Sequence, residues 1–463
     1  NIQFNWPALP DVPQILEELA SVQMHAVQTS GNCIRNTTTD QFAGVTSQEI
    51  TDPRPYCEII RQWSTFHPEF TFLPRKFKIA VSAAKDHDRA AVRLHDIGLY
   101  LVKRNNEIGF EVYAGGGLGR TPVVAPLLNE FIVKEDLISY LEAILKVYNK
   151  LGRRDNKYKA RIKILVRATG VEEFTQLVEK EWQALKHSEL KIPQKEFDRV
   201  SAFFQGPEYR NLEDNPPSLI EDIKQHPSFK RWYQQNTTEH KVKGYRVVTL
   251  SLKKTGIAPG DLSDYEMDAI ADLAAEYSFS ELRTTHDQNM VFPYVEQQAL
   301  FALWEKINRL GFATANIGLL NDMICCPGGD YCGLANAKSI PIAEQIQRRF
   351  EDLDYLHDLG NLDLNISGCM NACGHHHIGH IGILGVDKKG AEFYQVSLGG
   401  SSDVNAEIGT IMGPSFKEQE IADVIEKIID VYVTQRIEGE TFLYTYRRIG
   451  IDPFKEAVYA KTH

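Results

Sequence analysis

The chain repeats itself. Asp96-Ile97-Gly98-Leu99 runs through a Lys/Asn turn to Phe110-Glu111-Val112 and Gly115-Gly116-Gly117. Far downstream, His380-Ile381-Gly382-Ile383 runs through Asp387-Lys388-Lys389-Gly390 to Phe393-Tyr394-Gln395-Val396 and Gly399-Gly400. Ile97 to Gly115 is 18 positions, and so is Ile381 to Gly399. Alternating apolar runs around a polar turn read as β-hairpins. An internal repeat constrains architecture more than any local propensity, so two similar halves are expected. A second echo links Asn1-Ile2-Gln3-Phe4 with Asn289-Met290-Val291-Phe292. The second half starts near residue 241. Residues 245–252 and 281–285 are strand-like. Between them Ser263 and Glu266 form a capping box before a helix with Met267, Ile270, Ala274 and Tyr277 on one face. The first half has no counterpart of residues 241–288, so the repeat predicts roughly 50 residues or more upstream of Asn1, which is not an initiator Met. A helix fits 134–151, with Leu137, Leu141, Ile144 and Tyr148 on one face and Gly152 as its stop.

At 463 residues and 43% hydrophobic, the chain has length for two or three domains of about 150 residues each. Its net charge of −11 makes it a poor general nucleic-acid binder, because phosphate contacts need a basic surface. No apolar run approaches the roughly 18 residues of a membrane span, and no signal peptide is visible. A cytoplasmic location is expected. Of seven cysteines, Cys33 and Cys57 stand apart, whereas Cys325, Cys326, Cys332, Cys369 and Cys373 lie close together. In a chain of this size they read as metal or cluster ligands in a reducing compartment rather than as a disulfide scaffold. Cys326 and Cys332 are spaced C-x5-C, and Cys369 and Cys373 C-x3-C. Structural zinc favours tighter knuckles. Four thiolates around a [4Fe–4S] cubane need wider loops, because each ligates a separate iron. Zinc remains the alternative, and Cys325 reads as a buried thiol.

The cations are also clustered. Leu73-Pro74-Arg75-Lys76-Phe77-Lys78 leads into the apolar run Ile79-Ala80-Val81. On a strand Lys76 and Lys78 share one face, opposite Phe77. Two ammonium groups side by side repel unless an anion lies between them; the alternative is a solvated strand end. Arg153, Arg154, Lys157, Lys159, Arg161 and Lys163 form a further cluster, and Arg35 sits in Ser30-Gly31-Asn32-Cys33-Ile34-Arg35-Asn36. Such groups suit a polyanion, or a solvated face. Gly115-Gly116-Gly117-Leu118-Gly119-Arg120 resembles a dinucleotide fingerprint, but Arg120 replaces the third Gly and the segment ends a hairpin. His375-His376-His377 with His380 could bind metal, though packing or hydrogen bonding beside a cluster ligand is the expected role.

Together these residues resemble the siroheme-dependent sulfite/nitrite reductase hemoproteins, and most of all the assimilatory bacterial sulfite reductases. The resemblance covers nearly the whole chain. It implies an α+β fold of two pseudosymmetric halves, with mixed sheets flanked by helices and the active site between the halves. The first ferredoxin-like half-domain is expected to be truncated, with residues 1–30 its remnant. Residues 31–186 would form the first siroheme-binding half, 187–240 a linker with short helices, 241–318 the second ferredoxin-like half-domain, and 319–463 the cluster-bearing half. The resemblance implies that Cys326, Cys332, Cys369 and Cys373 hold the [4Fe–4S] cluster, with Cys373 also bridging to siroheme. It places Arg35, Lys76 and Lys78 on the substrate oxyanion; one further substrate Arg belongs before Asn1. Arg120, Arg153, Arg154, Lys157, Lys159 and Arg161 are expected at the eight siroheme carboxylates. The implied reaction is six-electron reduction of sulfite to sulfide. The electron donor would be a separate ferredoxin or NADPH-flavoprotein. The alternatives are ferredoxin-dependent nitrite reductase on the same fold and, in another class, an electron-transfer iron–sulfur protein. Lys78 favours sulfite, because nitrite reducers often carry Asn there.

Overall fold

The computed structural model describes residues 2–460 and divides into two compact units. The first comprises the chain up to Gly44, Gln48–Gly117 and Val123–Gln205. Its five-stranded sheet runs in sequence order: β1 (Ile34–Thr38), β2 (Phe77–Ser82), β3 (Ile97–Arg104), β4 (Glu107–Ala114) and β5 (Leu127–Val133). The β1/β2 and β2/β3 pairs are parallel, and β3/β4 and β4/β5 antiparallel. The expected hairpin is β3–β4, paired from Ile97↔Ala114 to Arg104↔Glu107. Its turn residues Asn105 and Asn106 both have positive φ, 51° and 69°. A two-residue turn of that hand matches strand twist, and Asn tolerates it. Ile79 and Val81 are fully buried in the main core, while Ala80 faces a smaller cluster with Tyr100 and Tyr113. A strand covered on both faces carries a continuous apolar run, as this one does. The helix expected over 134–151 is a 3-10 turn, Lys134–Asp136, followed by Leu137–Leu151, with Gly152 at the C-cap. Leu137, Leu141, Ile144 and Tyr148 are all buried.

The second unit comprises Val45–Ser47, Leu118–Pro122 and the chain from Gly206. It holds two sheets. One has the spatial order β6 (Thr237–Glu239), β7 (Tyr245–Leu250), β9 (Met290–Glu296), β8 (Arg283–Thr284). Helices Pro217–Gln225 and Pro227–Asn236 bury Leu219, Phe229 and Trp232 in its core. The capping box at Ser263 and Glu266 forms, and helix Asp264–Tyr277 buries Ile270, Leu273 and Ala274 while Met267 stays exposed. Two strands are shorter than their sequence pattern. After Leu250, the Ser251 amide bonds to the Phe312 carbonyl and the Leu252 amide to Asn289 Oδ1. After Thr284, Thr285 Oγ1 accepts from the amides of Asp287 and Asn289, so a turn replaces the ladder. Residues 2–4 lie in no strand, unlike their echo in β9, because no described segment pairs with them; Asn1 lies outside the described residues.

The other sheet is β10 (Ile324–Cys325), β11 (Leu364–Ser367), β12 (Ile381–Lys388), β13 (Ala391–Leu398) and β14 (Thr410–Ile411). Its parallel, parallel, antiparallel, antiparallel pairing repeats that of β1–β5. The β12–β13 hairpin pairs Ile381↔Leu398 and turns at Lys389 and Gly390, again with positive φ. The duplication read from two hairpins is therefore a duplication of whole sheets. No described helix is long and apolar enough to cross a membrane.

Candidate functional site

The thiols sit where two adjacent parallel strands end. Cys326 follows β10, and Cys369 follows β11 by two residues. Pairing of Cys325 with Ile366 brings the two loops side by side. The Cys326 amide bonds to the Ile366 carbonyl at 3.1 Å, and the Gly368 amide donates to Cys326 Sγ at 3.1 Å. Gly368 is required for this approach: a Cβ there would lie 2.6 Å from the Ala337 carbonyl oxygen. A short helix, Gly328–Tyr331, carries the chain to Cys332, whose amide bonds back to Gly328. Cys373 is exposed on a turn flanked by Ala372 at φ 57° and His375 at φ 55°. The turn closes through the Gly374 amide, which donates to Ser367 Oγ at 3.1 Å.

The donor set fits a cluster. Burial pushes the Cys369 thiol above its ordinary value, and the Cys326 and Cys332 sulfurs add to that rise, so the three occupy one electrostatic neighbourhood. Three thiolates cannot be held there in water without compensating positive charge, which iron supplies. The peptide N–H on Cys326 is the type of contact that tunes a cluster sulfur. Among the described residues no three His, Cys, Asp or Glu side chains converge as ligands of a single ion do; a cubane spreads its thiolates over separate irons. Cys325 is the buried thiol expected from its position, 3% exposed and raised by burial. Of the histidines, His376 is buried and neither ring nitrogen has a hydrogen-bond partner. Burial, His377 and His375 lower its pKa to about 3, so it is neutral. His377 Nε2 meets the Gly119 carbonyl at 2.9 Å. That contact holds Gly119, within the second unit, against the turn that follows Cys373. Arg120 Nε donates to Met370 Sδ at 3.1 Å, which sets a guanidinium against the residue that follows Cys369.

In the first unit, cations gather at the N-terminal ends of three parallel strands. Arg35 is on β1, Lys76 and Lys78 stand at the start of β2, and Asp96 immediately precedes β3. Phe77 is fully buried and Lys78 partly exposed, as strand alternation requires. The Asp96 carboxylate, 0% exposed, organises the group. Oδ2 accepts the Lys78 backbone amide at 2.9 Å, and Oδ1 accepts Arg161 Nε and a terminal guanidinium nitrogen at 2.9 and 2.7 Å. Arg161 caps helix Ile162–Thr169, which also carries Lys163, a buried lysine. Partial burial depresses the Arg35 pKa; Cys33 opposes this, and Arg75 and Arg161 add to it. Burial first, then Arg161, lowers Lys163 to about 8; Lys76 and Arg167 add to this while Asp96 opposes it.

Thus Arg35, Lys76, Lys78 and Arg161 come together. Arg153, Arg154, Lys157 and Lys159 do not join them: all four are exposed on the loop before Ala160. Arg153 pairs with Asp155, and Arg154 lies over the Phe72 ring and bonds to Asn149. Sequence reasoning missed Asp96 as the organiser. The signal was present, since Asp96 opens the repeated hairpin where His380 opens its copy. The amides of Gly115 and Gly399 bond to the carbonyls of Asp96 and His380 respectively.

Two expected outcomes follow from this geometry. Asp96→Ala leaves a guanidinium and a peptide amide without their buried acceptor, so it should destabilise the chain by about 3–5 kcal/mol, read from urea unfolding. An anion placed beside Lys163 would restore its charge. Anion binding there should therefore take up protons and weaken as pH rises through about 8, a dependence that Lys163→Arg removes in titrations across pH 7 to 10.

Cysteines on such glycine-bearing loops mark an iron–sulfur redox protein. Comparison with known proteins narrows the class. The nitrite and sulphite reductase 4Fe-4S domain family matches residues 30–186 and 319–463, and the nitrite/sulfite reductase ferredoxin-like half domain matches 240–310. The chain is 26% identical over 456 residues to sulfite reductase [ferredoxin] 1 of Mycolicibacterium paratuberculosis, covering 96% of this chain and 74% of that protein. It is 27% identical over 448 residues to the chloroplastic ferredoxin–nitrite reductase of Arabidopsis thaliana, covering 93% and 69%. The solved structure of Mycobacterium tuberculosis NirA superposes with a TM-score of 0.76 at 25% identity, covering 96% of this chain and 76% of that one. The chain belongs to the nitrite and sulphite reductase family, oxidoreductases that pair a [4Fe–4S] cluster with siroheme.

Proposed function

We propose that this chain is the hemoprotein of an assimilatory sulfite reductase, reducing sulfite to sulfide with six electrons. The observation that carries the reading is the pair of thiol loops, in which Cys326, Cys332 and Cys369 share one neighbourhood and a Gly368 amide rests on Cys326. Cys326, Cys332, Cys369 and Cys373 would hold the cluster, and Cys373 would also hold siroheme. When bound, siroheme would supply redox-active iron for the anion, with the cluster supplying electrons one at a time. The protein's own groups do the rest. Lys76, Lys78 and Arg35 neutralise the sulfite oxygens, hold the anion in one orientation and present N–H protons as charge grows on those oxygens. Asp96 keeps the Lys78 backbone and Arg161 in place. Arg120, Arg161 and the exposed cations of the 153–159 loop take siroheme carboxylates.

The donor is a separate ferredoxin or flavoprotein in a reducing, cytoplasmic setting. Relatives named for each substrate support two readings, sulfite and nitrite. A sulfite-preferring enzyme suits the second cation at Lys78. The test is an absorption spectrum followed by turnover with reduced methyl viologen. Soret and red-region bands with faster sulfite than nitrite turnover are expected. A broad brown shoulder alone would make the chain an electron-transfer protein, and faster nitrite turnover would reverse the substrate assignment.

A further inference from the structure

The first cluster-ligand segment is gripped from outside its own sheet. Gln288 lies in the turn between β8 and β9, in the ferredoxin-like sheet. Its side-chain amide pairs with the Cys325 peptide on both sides: Nε2 donates to the Cys325 carbonyl at 2.8 Å, and Oε1 accepts the Cys325 amide at 2.7 Å. A carboxamide used this way acts as a one-residue strand, closing the free edge of β10 at the residue before Cys326. We infer that Gln288 is a positioning residue for the cluster, fixing Cys326 from the neighbouring sheet. This inference rests on the cluster assignment made above.

The turn that presents Gln288 is held with more bonds than a surface turn needs. Gln288 itself has φ 57°, a conformation that is unfavourable for a side chain of its kind and must be imposed by its surroundings. The Lys253 ammonium is fully buried beneath it and donates to the carbonyls of Asp287, at 2.5 Å, and Gln288, at 3.3 Å. Its charge is met by Asp322 Oδ1 at 3.6 Å. Asp322 also accepts from Asn289 Nδ2 at 2.8 Å and from the Gly318 amide at 2.9 Å. Gly260 completes the seat: with φ +87° and no side chain it leaves room for Gln288, whose Cβ would be 2.8 Å from a Cβ at 260. A buried ammonium is costly unless its donors are satisfied. Here all of its partners lie in the turn that aims Gln288 or in the segment that leads to Cys325. The packing core of β10 alone needs none of this, since Cys325 is already paired with Ile366 in β11.

The mechanical consequence is specific. Cys326 lies between the Cys325 peptide and the short helix Gly328–Tyr331, so the hold on the Cys325 peptide sets how the backbone enters the cysteine from its N-terminal side. Freeing the Cys325 peptide removes the N-terminal hold on Cys326 and leaves the Ile366 and Gly368 contacts to keep its sulfur in place, and a cluster with one less firmly held ligand loses iron faster.

The test uses the full chain loaded with its cofactors. Gln288→Met keeps the length and volume and removes both hydrogen bonds; Gln288→Glu keeps the acceptor and removes the donor. Four quantities are measured: iron release to a strong chelator, the cluster midpoint potential, amide exchange at Cys325 and the global unfolding midpoint. Gln288→Met should release iron faster by roughly tenfold or more, the cost of losing an outer-shell partner. Its Cys325 amide should exchange faster, its potential should shift, and its global unfolding midpoint should stay near that of the parent. Gln288→Glu should fall between, and it carries the test if Gln288→Met does not fold. Parent-like iron release and potential in a folded variant would overturn the inference while leaving the cluster assignment intact. A parent chain that binds no iron and sulfide would instead overturn the cluster assignment, and with it this role for Gln288.

Discussion

Cys373→Ser is expected to strip the chain of its cluster and of siroheme coupling together. The backbone around Cys373 is held independently of its sulfur. The Gly374 amide bonds to Ser367 Oγ, the Ala372 amide to the Cys369 carbonyl and the His375 amide to the Ala372 carbonyl. Gly374 also sits against the Ile366 carbonyl so closely that no side chain fits there. The turn therefore survives the substitution, and what is lost is the thiolate. A serine hydroxyl is a harder and less acidic ligand, poorly matched to cluster iron. Iron affinity should drop by more than the roughly 10–100-fold that loss of an outer-shell partner costs. Iron and acid-labile sulfide assays with a Soret spectrum read the result. Cys325→Ala is the matched control: it removes a thiol one residue from Cys326, yet this sulfur is buried in the core and donates to the Cys326 carbonyl. It should keep iron and spectrum. The reverse pattern would sink the ligand assignment.

Lys78→Asn should lower sulfite turnover at least about tenfold, because a charge-assisted hydrogen bond contributes roughly 1.5–3 kcal/mol. The strand should not suffer. Lys78 is held at its backbone amide by Asp96, a contact any side chain preserves, and its neighbour Phe77 supplies the buried anchor. Nitrite carries less charge and should lose less, so the sulfite-to-nitrite ratio falls. Lys76→Met should impair both reactions. Were both lysines solvated strand ends, neither change would exceed a few tenths of a kcal/mol. Steady-state kinetics with both anions, at fixed reductant and measured siroheme content, separates the cases. Unaltered sulfite kinetics in Lys78→Asn would remove the charge argument for sulfite.

The features legible in the sequence are those enforced over short stretches of chain. The two hairpins were readable because period-two alternation and turns able to take positive φ occupy about 18 consecutive positions each. Helix Leu137–Leu151 was readable from its apolar face and its Gly stop, and the Ser263/Glu266 box from two residues. The cysteine spacing was readable because thiols placed on two loops leave their mark as spacing. Strand ends were less readable. Residues 251, 252 and 285 look like strand, yet their bonding groups are taken by Phe312, Asn289 and a Thr285 turn, partners that alternation cannot reveal.

By itself, then, the sequence determined the duplicated α+β plan, the four thiols and the Lys76/Lys78 pair. Tertiary structure alone decided which cations act as a group. Arg161 joins Arg35, Lys76 and Lys78 because buried Asp96, 65 residues away in sequence, draws it in; Arg153, Arg154, Lys157 and Lys159, only a few residues before it, stay on the surface. In the same way Gln288 meets Cys325 across 37 residues, and Arg120 meets Met370 across 250. Local patterns are written by neighbours along the chain. The partner of a buried charge or a free strand edge is set by which distant segment the fold delivers to it, and no spacing in the sequence encodes that.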